Sequence, residues 1–271
     1  MIINNVLGII VLFHPDLAEA MINIKSLKEQ VEKVLIIDNT PIESKVDYDF
    51  FDDGIICISN GENLGLAYAL NQGLDYAQKN NFRYYITVDQ DTCLSESAVH
   101  NMLKVFEKSK AVGSVGAHYS GKSTKLNKVQ FLITSGNLTS TEVSKSVGGY
   151  NNDLFIDSID FDFSLKIRQA GFHLYLAAGA VMHHKIGESH YIKLLFFKIK
   201  IQIHSIQRYY YISRNHYYIL KKYGKFFKVF CFKKRIIFFW EKVKLFLFHP
   251  DKAQKFAEIK RGKNDRDLLF I

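Results

Sequence analysis

The stretch Tyr84-Tyr85-Ile86-Thr87-Val88-Asp89-Gln90-Asp91-Thr92 is an apolar run that ends in two carboxylates one residue apart. Such a run suits a strand buried on both faces, and the acidic pair then falls where the chain leaves the sheet. In open α/β sheets, ligands gather at that carboxyl end. Two carboxylates held close repel each other unless a cation lies between them, and magnesium or manganese takes oxygen ligands of this kind. Turn chemistry is the competing account of an Asp-x-Asp pair.

The chain before this run has the order strand, helix, strand. Residues 6–13 and 34–37 are expected as buried strands. Between them, His14-Pro15-Asp16 opens a helix with Pro in its first turn and Leu17, Met21, Ile24 and Leu27 on one stripe. That spacing implies a parallel βαβ unit, with residues 54–58 as a third strand after a polar loop over 42–53. Asp38, after the second strand, is either a turn former or a partner for a nucleobase edge. The turn Asn60-Gly61-Glu62-Asn63-Leu64-Gly65 feeds a helix carrying Ala69, Leu70, Leu74 and Ala77. It reads either as an anion site of backbone N–H groups or as a tight turn capped by Asn.

Beyond the acidic pair, a helix is expected from about residue 95 to 108, a strand over 111–117, and a polar loop over 118–128. Phe131-Leu132-Ile133-Thr134-Ser135-Gly136-Asn137 reads as a strand breaking into a small-residue turn. A second acidic cluster holds Asp153, Asp157, Asp160 and Asp162, and periodicity leaves residues 161–167 open between strand and helix. A carboxylate here that faced Asp89 and Asp91 would be a natural general base, whereas acids in a first helical turn often only cap it. His183-His184 closes the front part, and a neutral imidazole suits manganese beside carboxylates.

Charge separates the chain into two parts. Residues 191–271 hold 20 Lys and Arg against 5 Asp and Glu, a net of +15, within a chain whose total is +9, so residues 1–190 carry −6. The basic part interleaves its cations with Phe, Ile and Leu over 193–200 and 228–248. This pattern reads as interfacial helices on an anionic membrane surface. The acidic front does not resemble a nucleic-acid surface, so no nucleic-acid partner is expected. No long uncharged apolar run appears, and Cys57, Cys93 and Cys231 give neither a disulfide framework nor zinc spacing. A cytoplasmic protein, peripheral on the inner face of the cell membrane, is the expected location.

Several motifs recur together and in order: Asp38-Asn39-Thr40; Asn63-x-Gly65-Leu66-Ala67-x-Ala69-x-Asn71-x-Gly73; Val88-Asp89-Gln90-Asp91-Thr92; Thr134-Ser135-Gly136; Gly148-Gly149-Tyr150; Phe155-Ile156-Asp157-x-x-Asp160-x-Asp162-Phe163; and His184-x-x-Gly187. The ordered set resembles the family 2 glycosyltransferases of the GT-A fold, within them the rhamnosyltransferase-like branch of bacterial surface polysaccharide synthesis. The resemblance implies an α/β fold: a Rossmann-like, mixed and mostly parallel sheet flanked by helices. Residues 1–190 would form the catalytic domain, and residues 191–271 a basic, aromatic helical extension. It further implies a nucleotide-diphosphate sugar donor and a glycan or lipid-linked acceptor. Asp38 would contact the base, Asn63 and Gly65 would shape the donor pocket with Asp89, and Asp89, Asp91 and His184 would hold manganese or magnesium. The family's base is the Asp of a Glu-Asp pair; here the dipeptide is Ile159-Asp160, so Asp160 takes the role with Asp157 as second candidate. Two other readings remain: a haloacid-dehalogenase-like phosphatase using Asp89 and Asp91, and a non-catalytic polyanion-binding module.

Overall fold

The computed structural model describes residues 3–44, 53–119, 125–184, 189–194 and 197–270; for His184, 189–194, 197–200 and Gln202 only the backbone is described. The chain divides into two compact units. The first comprises Met1–Phe155 and Ile159–Lys185, and the second Ile156–Ser158 and Ile186–Ile271.

The first unit runs through β1 (Ile3–Leu12), α1 (Leu17–Lys28), β2 (Val31–Asp38), β3 (Ile55–Ser59), α2 (Leu66–Lys79), β4 (Tyr84–Asp89) and β5 (Thr92–Leu94). It continues through α3 (Ala98–Phe106), β6 (Val112–Tyr119), β7 (Asn127–Val129), β8 (Asn137–Ser140), α4 (Thr141–Ser146), α5 (Ile159–Gln169) and β9 (His173–His184). Among the described residues nine strands form one sheet in the order β3-β2-β1-β4-β8-β6-β9-β5, with β7 on β9. Strands β1 to β4 are parallel, β8 runs against β4 and β6, and β6 pairs parallel with β9. The sheet is therefore mixed and mostly parallel, as expected. Val6, Leu7, Ile9, Ile10 and Leu12 of β1 are all fully buried, because helices cover both faces of a central strand. Gly73 brings α2 onto that strand: a Cβ at this position would lie 2.7 Å from Ile9 Cδ1.

Local outcomes differ from the pattern in instructive ways. Helix α1 starts at Leu17 with Asp16 as its N-cap, accepting from Glu19 N–H at 3.2 Å, so Pro15 lies outside the first turn. Met21 faces outward and Asn23 is buried instead. A short strand, β5, lies just before the expected helix, and α3 starts at Ala98 rather than near residue 95. The polar loops expected over 42–53 and 118–128 fall partly outside the described residues; Ile42–Ser44 is a 3-10 turn, β6 continues to Tyr119, and β7 begins at Asn127. Residues 161–167 are helical, inside α5.

The expected strand over 131–137 is corrected: only Asn137 of it lies in a strand, β8. Four backbone groups of 130–134 bond to side chains. Arg168 Nη1 donates to Gln130 O at 3.2 Å, Ser164 Oγ serves both Leu132 N–H and Leu132 O, and Thr87 Oγ1 donates to Thr134 O. A segment whose polar groups find side-chain partners needs no ladder.

In the second unit, β10 (Ser189–Leu194) and β11 (Phe197–Gln202) pair antiparallel, followed by α6 (Ile206–Tyr223), α7 (Lys228–Phe248) and α8 (Lys252–Asn264). The interfacial helix expected over 193–200 is thus a correction, because these residues fall in a two-stranded sheet. The expected C-terminal helices are present from Ile206 onward. Helices α6 and α8 pack closely: a Cβ on Gly262 would meet Tyr210 O at 2.3 Å, and Ser213 Oγ donates to Ile259 O at 2.7 Å. No helix among the described residues is long and apolar enough to cross a membrane.

Candidate functional site

The carboxyl ends of β1 to β4 gather the sequence-predicted residues of the front half. Register pairs Leu12 with Asp38, Val11 with Asp89, and Asp38 with Ser59. Asp38 and Asp89 therefore end the two strands on either side of β1. The Asp89-Gln90-Asp91 turn leaves β4 half-buried.

Hydrogen bonds to Ser135, Phe13 and Asn23 fix this turn. Asp89 N–H donates to Ser135 Oγ at 2.9 Å, and Ser135 Oγ donates in turn to Thr92 Oγ1 at 2.8 Å. Gln90 pairs with the end of β1, accepting from Phe13 N–H at 2.9 Å and donating to Phe13 O at 3.3 Å. The buried Asn23 of α1 donates to Gln90 O at 2.7 Å. Sequence reasoning placed Ser135 in a small-residue turn and gave Gln90 and Asn23 no role; a polar residue on the inner stripe of an amphipathic helix was the available signal. Gly136 makes the small-residue turn possible with φ of +65°, and a Cβ there would sit 2.8 Å from Met182 Sδ.

The donor set suits a hard divalent ion. Asp89 and Asp91 supply carboxylate oxygens on a rigid turn, and magnesium-type sites commonly take one or two carboxylates together with substrate phosphates and water. Asp91 also acts on Tyr119 at the end of β6, whose phenol is pushed above its ordinary range by burial and then by this carboxylate. Among the described residues no cluster of three or more His, Cys, Asp and Glu forms. The β5–β9 ladder pairs Thr92 with His184, setting the histidine's backbone across from the residue after Asp91; its side chain lies outside the described ones.

Asp38 is fully buried, and its Oδ1 accepts from Thr40 N–H at 2.9 Å, the turn-forming bond. Thr40 Oγ1 accepts from His14 N–H at 3.0 Å. Asn39 donates to Gly65 O at 3.1 Å and accepts from Asn60, whose amide also exchanges bonds with Gln72. This network ties the β2 end to the turn before α2. At that turn, Asn63 Oδ1 accepts from Gly65 N–H at 3.0 Å, and Leu66 N–H donates to Phe155 O at 2.7 Å. These two N–H groups are thus spent on protein acceptors, which is the capped-turn account of this motif.

Asn71 holds Tyr150 through both backbone groups, at 2.8 and 2.9 Å, and so binds the Gly148-Gly149-Tyr150 motif to α2. In the acidic cluster, Phe155, Asp157 and Ser158 all have positive φ, at 58°, 66° and 62°. Such conformations persist only where surroundings over-determine them. In the second unit, Arg208 of α6 forks onto Asp157 with two 3.0 Å bonds, and the buried Asn215 donates to the carbonyls of Ile156 and Asp157 at 2.7 and 2.9 Å. Asp162 is buried beside Lys166 at 3.4 Å. Asp160 lies half-buried in the first turn of α5, and its Oδ1 accepts from Phe161 N–H at 2.8 Å.

Comparison with known proteins bears on this geometry. The Glycosyl transferase family 2 model matches residues 10–156. The dTDP-rhamnosyl transferase RfbF of Shigella flexneri is 29% identical over 244 residues, covering 81% of each chain. Among solved structures, GalNAc-T7 with UDP, GalNAc and Mn2+ superposes with a TM-score of 0.62 at 12% identity, over 97% of this chain and 57% of its own. The Pyrobaculum calidifontis mannosyltransferase PcManGT, in complex with GDP-Man and Mn2+, gives 0.59 at 11% identity, over 98% and 85%. The chain thus spans little more than half of GalNAc-T7. These likenesses show a GT-A fold.

Proposed function

Since the chain belongs to glycosyl transferase family 2, we propose that it transfers a sugar from a nucleoside-diphosphate donor to a hydroxyl of a glycan or lipid-linked acceptor, with inversion. The observation that carries this reading is the strand register. Asp38 and Asp89 end the strands flanking β1, so in this reading a base-side wall and a diphosphate-side turn adjoin at the carboxyl end of the sheet.

In this reading the nucleobase lies against the Asp38 turn, with the Asn63–Gly65 turn shaping the pocket beside it. Asp89 and Asp91 would hold manganese or magnesium for the diphosphate, with His184 as a third ligand. The Mn2+ in the two structural neighbours supports such an ion. When bound, the ion neutralises charge developing on the departing diphosphate. Asp160 accepts the proton of the acceptor hydroxyl as its oxygen bonds to the anomeric carbon. The bond from that carbon to the diphosphate oxygen breaks, and its electron pair leaves with the nucleoside diphosphate. The likeness to RfbF supports rhamnose from a dTDP donor; a role in surface polysaccharide synthesis, either O-antigen, capsule or exopolysaccharide, is what the resemblance of the ordered motifs to the rhamnosyltransferase-like branch implies. A lipid-borne acceptor accords with the basic region 191–271 working at an anionic membrane surface.

The test is a screen of nucleotide sugars with manganese, read by nucleoside-diphosphate release that depends on an added acceptor. We expect dTDP-rhamnose to give the highest rate, and excess chelator to abolish it. Full turnover in chelator would remove the metal assignment. Phosphate release from simple phosphomonoesters in place of sugar transfer would favour the phosphatase reading.

A further inference from the structure

Helix α7 carries two different faces. Phe230, Cys231 and Leu245 are buried, and Phe238 between them stacks on the buried His216 ring at 4.1 Å between centroids. The opposite face is apolar yet exposed: Phe232, Ile236, Phe239, Trp240, Phe246 and Leu247 are 43–61% accessible. Residues 232, 236, 239, 243 and 246 fall at successive intervals of four and three, one stripe of a helix turning about 100° per residue.

Cations border the stripe on both sides. Lys228, Arg235 and Lys242 recur every seven residues along one margin, and Lys233 and Lys244 lie along the other. The helix holds six Lys and Arg against the single Glu241. Two margins of long cationic side chains around an apolar face set ammonium and guanidinium groups at headgroup depth when the face enters the acyl region. Next to this face is an apolar groove of about 310 Å³ lined by Phe239, Val243, Phe246, Leu247 and Phe256 of α8. A second copy of the chain is the poorer occupant, because isologous pairing would bring like-charged margins together.

We propose that α7 lies flat in the surface of an anionic bilayer, its Phe232–Leu247 face inserted and its Lys and Arg margins on the phosphates. The inference rests on the membrane-facing reading of the basic region and assigns that role to one helix.

Trp240 is the only tryptophan of the chain and sits on the inserting face, 57% exposed. Its emission therefore reports insertion directly in the full-length protein. Vesicles of phosphatidylglycerol and phosphatidylcholine should shift the emission to the blue, whereas pure phosphatidylcholine should not, and salt should weaken the response. The double variant Ile236→Ser, Phe246→Ser should bind at least about tenfold more weakly with an unchanged melting curve, since both side chains are exposed in the fold. Wild-type vesicle affinity in this variant would overturn the α7 assignment while leaving membrane association intact. No blue shift of the wild type with anionic vesicles at low salt would overturn both. A blue shift that grows with protein concentration without lipid would assign the face to a second copy and overturn the proposal. Nucleotide-sugar turnover is read in a separate assay, so none of these outcomes bears on sugar transfer.

Discussion

Asp157 and Asp160 are three residues apart in sequence, and their surroundings suit them to different work. Both oxygens of Asp157 are engaged by the Arg208 fork, which ties this carboxylate to α6 as a structural partner. In the proposed reaction Asp160, at the start of α5, is the base. Asp160→Asn should leave donor affinity near wild type and lower turnover by about 10²–10⁴. Asp157→Asn should instead lower the melting temperature, at a cost of about 1 kcal/mol for a partly exposed fork. Thermal melts and nucleoside-diphosphate release on both variants separate the roles, and the reverse pattern would reassign the base. Ser135 is a positioning residue for the acidic turn. In Ser135→Ala the Asp89 N–H loses its acceptor, and the manganese concentration for half-maximal rate should rise about 10–100-fold while the fold persists. An unchanged metal dependence would show that the turn holds itself.

At the scale of elements, the turn before α2 shows what a sequence can reveal and what it conceals. A glycine feeding a helix was plain in the pattern, but its reason was not. Gly65 has φ of +87°, and a Cβ there would lie 2.5 Å from Phe155 Cδ2 and 2.9 Å from its carbonyl oxygen. Gly65→Ala should therefore destabilise the first unit by about 1–3 kcal/mol, read by denaturant titration, with wild-type stability counting against this packing. The parallel strands β1 to β4 and the acidic pair were legible because burial on both faces leaves unbroken apolar runs. The segment 131–136 was misread because hydrophobicity reports burial and not where the backbone bonds go; here Ser164, Thr87 and Arg168 take them. The β10–β11 pair has its trace in Lys198-Ile199-Lys200-Ile201, which alternates with the period of a strand, but the basic and apolar composition of 193–200 suits an interfacial helix equally well. The clamp of Gln90 by Phe13 and Asn23 joins residues 67 to 77 positions apart, and a single sequence carries no trace of such a pair.

For the whole molecule, the concentration of positive charge in the last third sets a dependence on pH. His216 of α6 is buried beneath α7, and its pKa is pushed down to about 3 by desolvation and then by Lys234, Lys242 and Arg235. The unfolded chain takes up this proton below its ordinary range near 6.5, while the folded chain refuses it. The stability from this residue is therefore full above pH 6.5 and declines as pH falls toward 3, on the order of 1 kcal/mol per pH unit at full effect. Melting curves between pH 7 and 4 should show the decline, and His216→Gln should flatten it; an equal slope in the variant would assign the decline to other groups. The sheet of the first unit carries a consequence of another kind. Strand β5 follows β4 after only two residues, yet β8, β6 and β9 stand between them in the sheet. Tracing the ladders from β4 across to β5 and returning through Gln90 and Asp91 closes a circuit, with the acidic turn as its clasp. An ion would accept a longer tether between its two acids, but the circuit would not: one added residue either slips Thr92 away from His184 or opens the loop. The spacing of Asp89 and Asp91 is thus a length imposed by closure, which any bound cation inherits.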